Sequence, residues 1–323
     1  MKFFFKILAL YSAIFFFSCA SDSPSPEVNQ VKDDFSYLAV NAAGKIEKIG
    51  NNSGKISLFA QIEGLNQDNF IGSNTIACNS EKIFVINHIP PADKLYVFDR
   101  NTKTTTSKVL VYPKEIIGEE PSMTSLVWDE SKKILYAIIV NNPNIASTNH
   151  LCYFVKINPT TLEISYAGLN FNQKASYSTF LNGNKLYSSY YNDNTIEIDV
   201  DNNTSKAVLF NNSNIFFTRA VSYSGNAAYC LRYKSGGGIA LTKINSTDNS
   251  YEDLLPNESF GIINQTGKGF IDKSTNEYVC YMIKNSEYCL LKYNIATKTY
   301  TTSKLTSNSP IDNNLLIIDK VDN

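Results

Sequence analysis

Leu126-Val-Trp-Asp-Glu-Ser-Lys-Lys-Ile-Leu-Tyr136 and Thr179-Phe-Leu-Asn-Gly-Asn-Lys-Leu-Tyr187 are two copies of one unit. Each reads as a short strand, a tight polar turn and a second strand carrying an aromatic. Ile76-Ala-Cys-Asn-Ser-Glu-Lys-Ile-Phe84, Ala220-Val-Ser-Tyr-Ser-Gly-Asn-Ala-Ala-Tyr229 and Phe270-Ile-Asp-Lys-Ser-Thr-Asn-Glu-Tyr278 fit the same frame. Asn182-Gly183 and Ser224-Gly225 mark hairpin turns, because these residues tolerate positive φ. Every unit continues into a second hairpin whose third strand ends in an Asn/Asp-rich turn. These are Tyr96-Val-Phe-Asp-Arg-Asn-Thr102, Lys156-Ile-Asn-Pro-Thr-Thr161, Glu197-Ile-Asp-Val-Asp-Asn-Asn-Thr204, Lys243-Ile-Asn-Ser-Thr-Asp248 and Lys292-Tyr-Asn-Ile-Ala-Thr297. A fourth strand follows, as at 105–111 and 299–305. Four antiparallel strands recurring roughly every 40 to 55 residues are the signature of a β-propeller blade.

Five such blades are complete, and the chain begins inside another. Phe35 to Val40 reads as a second strand, 45–49 as a third and 56–62 as a fourth. The missing first strand is supplied by the C-terminus, where Leu315-Leu-Ile-Ile-Asp-Lys320 mirrors Gly269-Phe-Ile-Asp-Lys273. The expectation is an all-β, six-bladed β-propeller over residues 35–323, closed by the C-terminal strand pairing beside Phe35 to Val40. Closure removes two sheet edges that would invite aggregation, so deletion of 315–319 should unfold or open the ring. Strand alternation sends side chains to two faces, both covered by neighbouring sheets. Phe84, Tyr136, Tyr187, Tyr229 and the single Trp128 are therefore expected to pack between blades. This rhythm resembles the broad superfamily of extracytoplasmic propellers with YVTN/NHL-like, TolB-like, strictosidine-synthase-like and lactonase-like members. The resemblance covers residues 35–319 and implies the fold; binding proteins and enzymes share it, so it assigns no activity.

The N-terminus supplies an address. Lys2 and Lys6 frame a basic start, an apolar run spans 7–17, and Ser18-Cys19 follows. The run is too short to span a bilayer and has the layout of a secretory signal. A small residue before a cysteine resembles the lipobox of bacterial lipoproteins, with Phe16 where leucine is usual. The Asn-, Lys- and Tyr-rich, Arg-poor composition resembles the Bacteroidetes type. The resemblance implies a signal peptide over 1–18, lipidation at Cys19 and a lipid anchor in a membrane of the cell envelope, either periplasmic or surface-exposed. Two or three acyl chains would anchor stably where one would not. Ala20-Ser-Asp-Ser-Pro-Ser-Pro26 cannot pack a core, so 19–34 reads as a flexible tether.

Without the signal the chain keeps 27 basic against 30 acidic residues, a net charge of −3, and its only arginines are Arg100, Arg219 and Arg232. No basic stripe exists, which argues against a nucleic-acid partner. Besides Cys19 there are five cysteines, an odd number, all inside apolar runs and none in a C-x-x-C pair. They read as buried thiols, and no spacing nominates a disulfide.

The loops that join blades are long, at 63–73, 113–122, 168–176, 211–217 and 256–266, as is the strand-two-to-three loop at 141–150. Long loops on a rigid ring are where binding sits. Candidates on that rim are Arg219, Arg232, Glu119, Glu120, Tyr177 and Phe217, with Phe70, Phe171, Phe216 and Phe260 beside them. Arg219 is expected to begin an innermost strand, where it could grip a carboxylate or sulfate bidentately, or form an ion pair that orders the rim. The aromatics could stack on sugar rings or anchor loops.

Catalysis has no sequence support. His88 and His150, both expected in rim loops, are the only histidines and lack a third ligand for zinc. Asp199-x-Asp201-x-Asn203 imitates a calcium loop but lacks its glycine and final glutamate. Glu119-Glu120 could still serve calcium in a lactonase-like centre. There is no G-x-S-x-G, and Ser235-Gly-Gly-Gly238 has no helix after it to make a phosphate loop. The leading expectation is a non-catalytic, lipid-anchored module that presents a propeller rim to a protein or glycan. The rival is a divalent-metal, lactonase-like hydrolase at the channel mouth.

Overall fold

An Asp or Asn at the end of a strand can accept bonds from amides two and three residues on, and that local device repeats around this molecule. The computed structural model describes residues 31–66, 74–89, 92–142, 150–173, 178–189, 195–208, 218–234, 237–245, 248, 250–258, 260–261, 268–312 and 314–322. The signal segment, Cys19 and residues 19–30 of the tether lie outside them. Asp99 Oδ1 accepts from the amides of Asn101 and Thr102, both at 2.9 Å. Asn158 does the same for Thr160 and Thr161, Asp199 for Asp201 and Asn202, and Asn294 for Ala296 and Thr297. The fifth residue of each turn is left-handed: Lys103 at φ 58°, Leu162 at 58°, Asn203 at 51° and Lys298 at 57°. None is glycine, so each turn carries about 1 kcal/mol of backbone strain, which its side-chain bonds offset.

These turns close the outer hairpins of four of the six four-stranded antiparallel sheets. Blade 1 holds β1 (Phe35–Val40), β2 (Lys45–Gly50), β3 (Ile56–Gln61) and the C-terminal β24 (Leu316–Asp322). Blade 2 is β4 (Ile76–Cys78), β5 (Lys82–Ile89), β6 (Ala92–Asp99) and β7 (Thr105–Val109). Blade 3 is β8 (Ser122–Asp129), β9 (Ile134–Val140), β10 (His150–Ile157) and β11 (Ile164–Gln173). Blade 4 is β12 (Ser178–Asn182), β13 (Lys185–Ser189), β14 (Thr195–Asp199) and β15 (Thr204–Val208). Blade 5 is β16 (Thr218–Ser224), β17 (Ala227–Tyr233), β18 (Ile239–Asn245) and β19 (Tyr251–Asp253). Blade 6 is β20 (Phe270–Asp272), β21 (Glu277–Lys284), β22 (Glu287–Asn294) and β23 (Tyr300–Lys304). The innermost strands β24, β4, β8, β12, β16 and β20 touch in that order, and β20 returns to β24. The six-bladed ring is therefore closed, as the repeat predicts.

The core lies in wedges between neighbouring blades. Phe84, Ile86 and Val97 of blade 2 pack with Leu126, Leu135 and Ile139 of blade 3. Tyr136 and Phe154 of blade 3 pack with Leu186 and Ile198 of blade 4. The repeat aromatics pack as expected. Trp128 stacks on Phe84 with centroids 6.0 Å apart, Tyr187 lies 5° from parallel to Tyr223 of the next blade, and Tyr229 meets Tyr278 at 6.2 Å. Burying each such side chain contributes about 2 to 3 kcal/mol. One expected loop, 168–176, is shorter than the sequence suggests, because β11 continues to Gln173. Register slips between Phe154 and Val155, leaving Ala167 and Gly168 as a bulge. Gly168 supplies the left-handed φ of 79° that the bulge needs.

β24 is held on three sides. It pairs antiparallel with β1 from Phe35↔Asp322 to Val40↔Leu316. Toward blade 2, Asp319 forms an ion pair with Arg100, and Cys78 Sγ donates to Ile318 O at 3.2 Å. Toward blade 6, Lys320 Nζ lies 3.1 Å from Asp272 Oδ2, donates to Ser274 Oγ at 2.7 Å and sits 3.7 Å above the Phe35 ring. The bonding of the ring already begins at Asp33, which accepts the amides of Asn52 and Ser53, both at 2.8 Å.

Burial alone would raise the pKa of Asp272, but the Ser274 hydroxyl and the Lys320 ammonium outweigh it and hold it below 3.8. A carboxylate depressed in this way stabilises the fold fully above its unfolded value, and that support is lost as pH falls through the folded value. Unfolding midpoints measured from pH 7 downward should therefore fall below about pH 4. Asp272→Asn should cost about 2 kcal/mol at neutral pH and flatten that acid limb. An acid limb equal to that of the parent chain would show that this side of the seam contributes nothing.

Candidate functional site

Strand alternation places Asp93 on the same face of β6 as Leu95 and Val97, so its carboxylate is carried into the core between blades 2 and 3. Its side chain has 0% exposure. A buried carboxylate must be satisfied by donors, and here the donors converge. His88, its cross-strand neighbour in the β5–β6 hairpin, brings Nδ1 to 2.6 Å from Oδ1. The Met123 amide donates at 2.5 Å, the Ser122 hydroxyl at 3.3 Å, and the Tyr112 hydroxyl donates to Oδ2. Burial first, and then the Asp93 charge, pushes the Tyr112 phenol far above its ordinary value, so it stays a donor. Ser122 and Met123 open β8, the innermost strand of blade 3. Asp93 thus ties the strand-two-to-three turn of blade 2 to the inner edge of blade 3.

With Nδ1 engaged by Asp93, the other ring nitrogen of His88, Nε2, faces Glu120. Glu120 Oε1 stands 3.9 Å from it, the two side chains being 30% and 31% exposed. An imidazole and a carboxylate therefore stand together at the long-loop rim, the imidazole held from beneath by the buried Asp93 carboxylate. Glu119 is exposed on the same loop. A serine lies here too, but Ser122 Oγ meets Nδ1 at 3.0 Å, the nitrogen that Asp93 already occupies. A hydrolytic relay needs serine and aspartate on opposite nitrogens, and this arrangement does not supply it.

The other expected site residues are placed as follows. Arg232 is 7% exposed and directs Nη2 to both oxygens of Asp253 at 2.9 and 2.7 Å, while Thr242 Oγ1 donates to the same carboxylate at 2.8 Å. The guanidinium also covers the Tyr251 ring at 4.7 Å. Its fork is engaged within blade 5. Arg219 lies in β16 opposite Leu231. Phe171 and Phe260 are buried at 9% and 2% exposure, within the wedges between blades 3 and 4 and between blades 5 and 6. His150 opens β10 at 4% exposure rather than lying in a rim loop, because it pairs with Gln173 of the extended β11. Phe70, Tyr177, Phe216 and Phe217 fall outside the described residues.

The calcium-like run is a hairpin turn. Lys185 reaches Asp199 at 2.5 Å, and Lys132 pairs with Asp201. Among the described residues, no group of three or more His, Cys, Asp or Glu side chains is placed to share a metal ion. Burial pushes the thiols of Cys152, Cys230 and Cys280 up to about 12 and that of Cys78 to about 11.

Sheets, closure and rim together define a six-bladed β-propeller. Among solved structures the chain is similar to TolB from Acinetobacter baumannii, with a TM-score of 0.54 and 12% identity over 87% of this chain and 65% of that one. It is also similar to a puromycin-hydrolysing peptidase of Mycobacterium tuberculosis, with a TM-score of 0.51 and 10% identity over 85% of this chain and 45% of that one. A 6-phosphogluconolactonase candidate from Bacteroides fragilis matches at a TM-score of 0.48 and 12% identity, over 90% and 97% of the two chains. The chain thus spans less than two thirds of the length of the TolB chain. Likeness at this identity shows the fold alone. No family model matches the chain, and no curated protein does.

Asp93→Asn should destabilise the protein by about 2 to 4 kcal/mol, since one oxygen becomes a donor facing other donors. Denaturant unfolding measures it. A change below about 0.5 kcal/mol, the range of an ordinary surface substitution, would remove Asp93 as the organiser of the rim.

Proposed function

We propose that this protein is a lipid-anchored binding module of the cell envelope that presents the long-loop rim of a propeller to a protein or glycan ligand. The observation that carries the reading is the His88–Glu120 pair, whose imidazole is held by a carboxylate with 0% side-chain exposure. A carboxylate accepts and an imidazole edge offers one further polar contact, so the patch suits a ligand that brings donors to Glu120, such as sugar hydroxyls or peptide amides. Holding those groups rigid before binding removes the cost of ordering them. The anchor half of the proposal rests on the layout of residues 1–19 and places acyl chains on Cys19. Residues 19–30 would then link the anchor to the ring.

Metabolic labelling with an alkyne fatty acid should mark the full-length chain and not Cys19→Ala. A glycan array and defined envelope proteins, screened with the folded chain, should yield a ligand whose affinity drops about tenfold with Glu120→Gln and about tenfold with His88→Ala, each loss being one polar contact. A ligand indifferent to both variants would move the site elsewhere on the ring. An unfolding midpoint that rises with calcium and falls back with chelator would instead favour the hydrolase reading.

A further inference from the structure

On the opposite side of the ring, where the tight hairpin turns lie, blades 2 and 3 enclose an open groove of about 650 Å³. Its charged lining is Lys108, Lys132, Lys133 and Lys156, against the single acid Glu163. Between the lysines the walls are apolar, formed by Val111, Leu162 and Ile164. Val111 is 81% exposed, the most exposed of the large hydrophobic residues described. The four cations belong to three elements: Lys108 to β7, Lys132 and Lys133 to the β8–β9 turn, and Lys156 to β10. Their convergence is a product of the fold and not of a basic run in the sequence.

The lysines are available. Lys156 makes no ion pair or side-chain hydrogen bond among the described residues. Lys108 donates only to the Thr161 carbonyl, at 2.9 Å. Lys132 pairs with Asp201 and Lys133 with Glu130, both at exposed positions where such pairs exchange readily. The volume lies within the range of small-molecule sites. A wholly polar anion would leave Val111, Leu162 and Ile164 uncovered, and a neutral lipid would leave the lysines unanswered.

We propose that this groove binds a single-chain anionic amphiphile, an alkyl phosphate or a long-chain carboxylate. The head would lie among Lys108, Lys132, Lys133 and Lys156, and the chain along the apolar walls. The proposal rests on residues other than those of the rim reading.

The molecule carries its own reporter. Trp128, the only tryptophan, lines an adjoining hollow of about 230 Å³ that shares Lys133 and Pro159 with the groove. Its indole N–H donates to Glu130 Oε2 at 2.6 Å, and Glu130 is the partner of Lys133. A ligand that draws Lys133 away changes the surroundings of the indole.

The test is a titration of the full chain with monomeric dodecyl phosphate, read by Trp128 fluorescence and by heat. Saturable binding is expected, at least tenfold tighter than that of dodecyl maltoside, which has the chain without the charge, or of inorganic phosphate, which has the charge without the chain. Lys156→Gln and Lys108→Gln should each weaken it about tenfold, as expected for loss of a charge-assisted bond, with unfolding midpoints unchanged. Lys108 is exposed, so its variant remains informative if Lys156→Gln folds poorly. Equal affinity for dodecyl maltoside or for phosphate would overturn the proposal, as would undiminished binding by both variants. Binding to phosphatidylglycerol vesicles without binding to the monomeric amphiphile would also overturn it, in favour of a membrane surface.

Discussion

Everything in this structure depends on the antiparallel pairing of β24 with β1. A blade buries its two faces only against neighbours, so an open row of blades would expose one face at each end. Pairing the last strand with the first makes each blade an interior one. The seam is secured sideways as well, by Arg100 from blade 2 on Asp319 and by Asp272 from blade 6 on Lys320. These ion pairs join residues far apart in sequence, so they form only when the ring is complete. They favour the closed register over a slipped one, in which Asp319 and Lys320 would exchange faces.

The fold was legible because its signals are local. Asn-Gly and Ser-Gly turns, Asn/Asp-led hairpins and aromatic-bearing second strands recur in phase, and Leu315 to Lys320 copies the opening of blade 6 closely enough to reveal the closure. The rim was legible only in part. Loop length pointed to the region of Glu119 and Glu120, and His88 stood out as a rare residue there. Asp93, which positions His88, lies outside the long loops. Its signal was present as a charged residue in phase with Leu95 and Val97 on an alternating strand, a position that demands donors. Ser122 and Tyr112 carried no comparable signal, since their relation to Asp93 depends on how two blades meet. Arg232 is engaged by Asp253, which β19 brings beside it. No local pattern announces that pairing. Nor does any pattern announce the β11 bulge, which depends on an uneven register with β10.

The two sides of the ring treat charge differently. On the loop rim, a buried carboxylate and its donors fix a few groups in one geometry, and desolvation makes each bond count. On the hairpin side, flexible lysines stand over apolar walls and their existing partners are exposed. The first arrangement suits recognition of shape and hydrogen-bond pattern. The second suits a ligand recognised mainly by charge and apolar length. Both lie at the junction of blades 2 and 3, which is also where Trp128 stacks on Phe84.

The pairing of Phe35 with Asp322 brings the two ends of the ring into neighbouring positions on the side of the tight turns. The order in which the blades are threaded is therefore separable from the shape they make. A short covalent join between these ends, with new ends opened at an exposed hairpin such as Asn182-Gly183, would give a circular permutant with the same sheets, wedges and rim. In such a permutant blade 1 would no longer be assembled from both extremities of the chain. Blade 4 would be assembled that way instead, with β12 as the last strand made, so the permutant's folding would report whether closure at blade 4 can replace closure at blade 1.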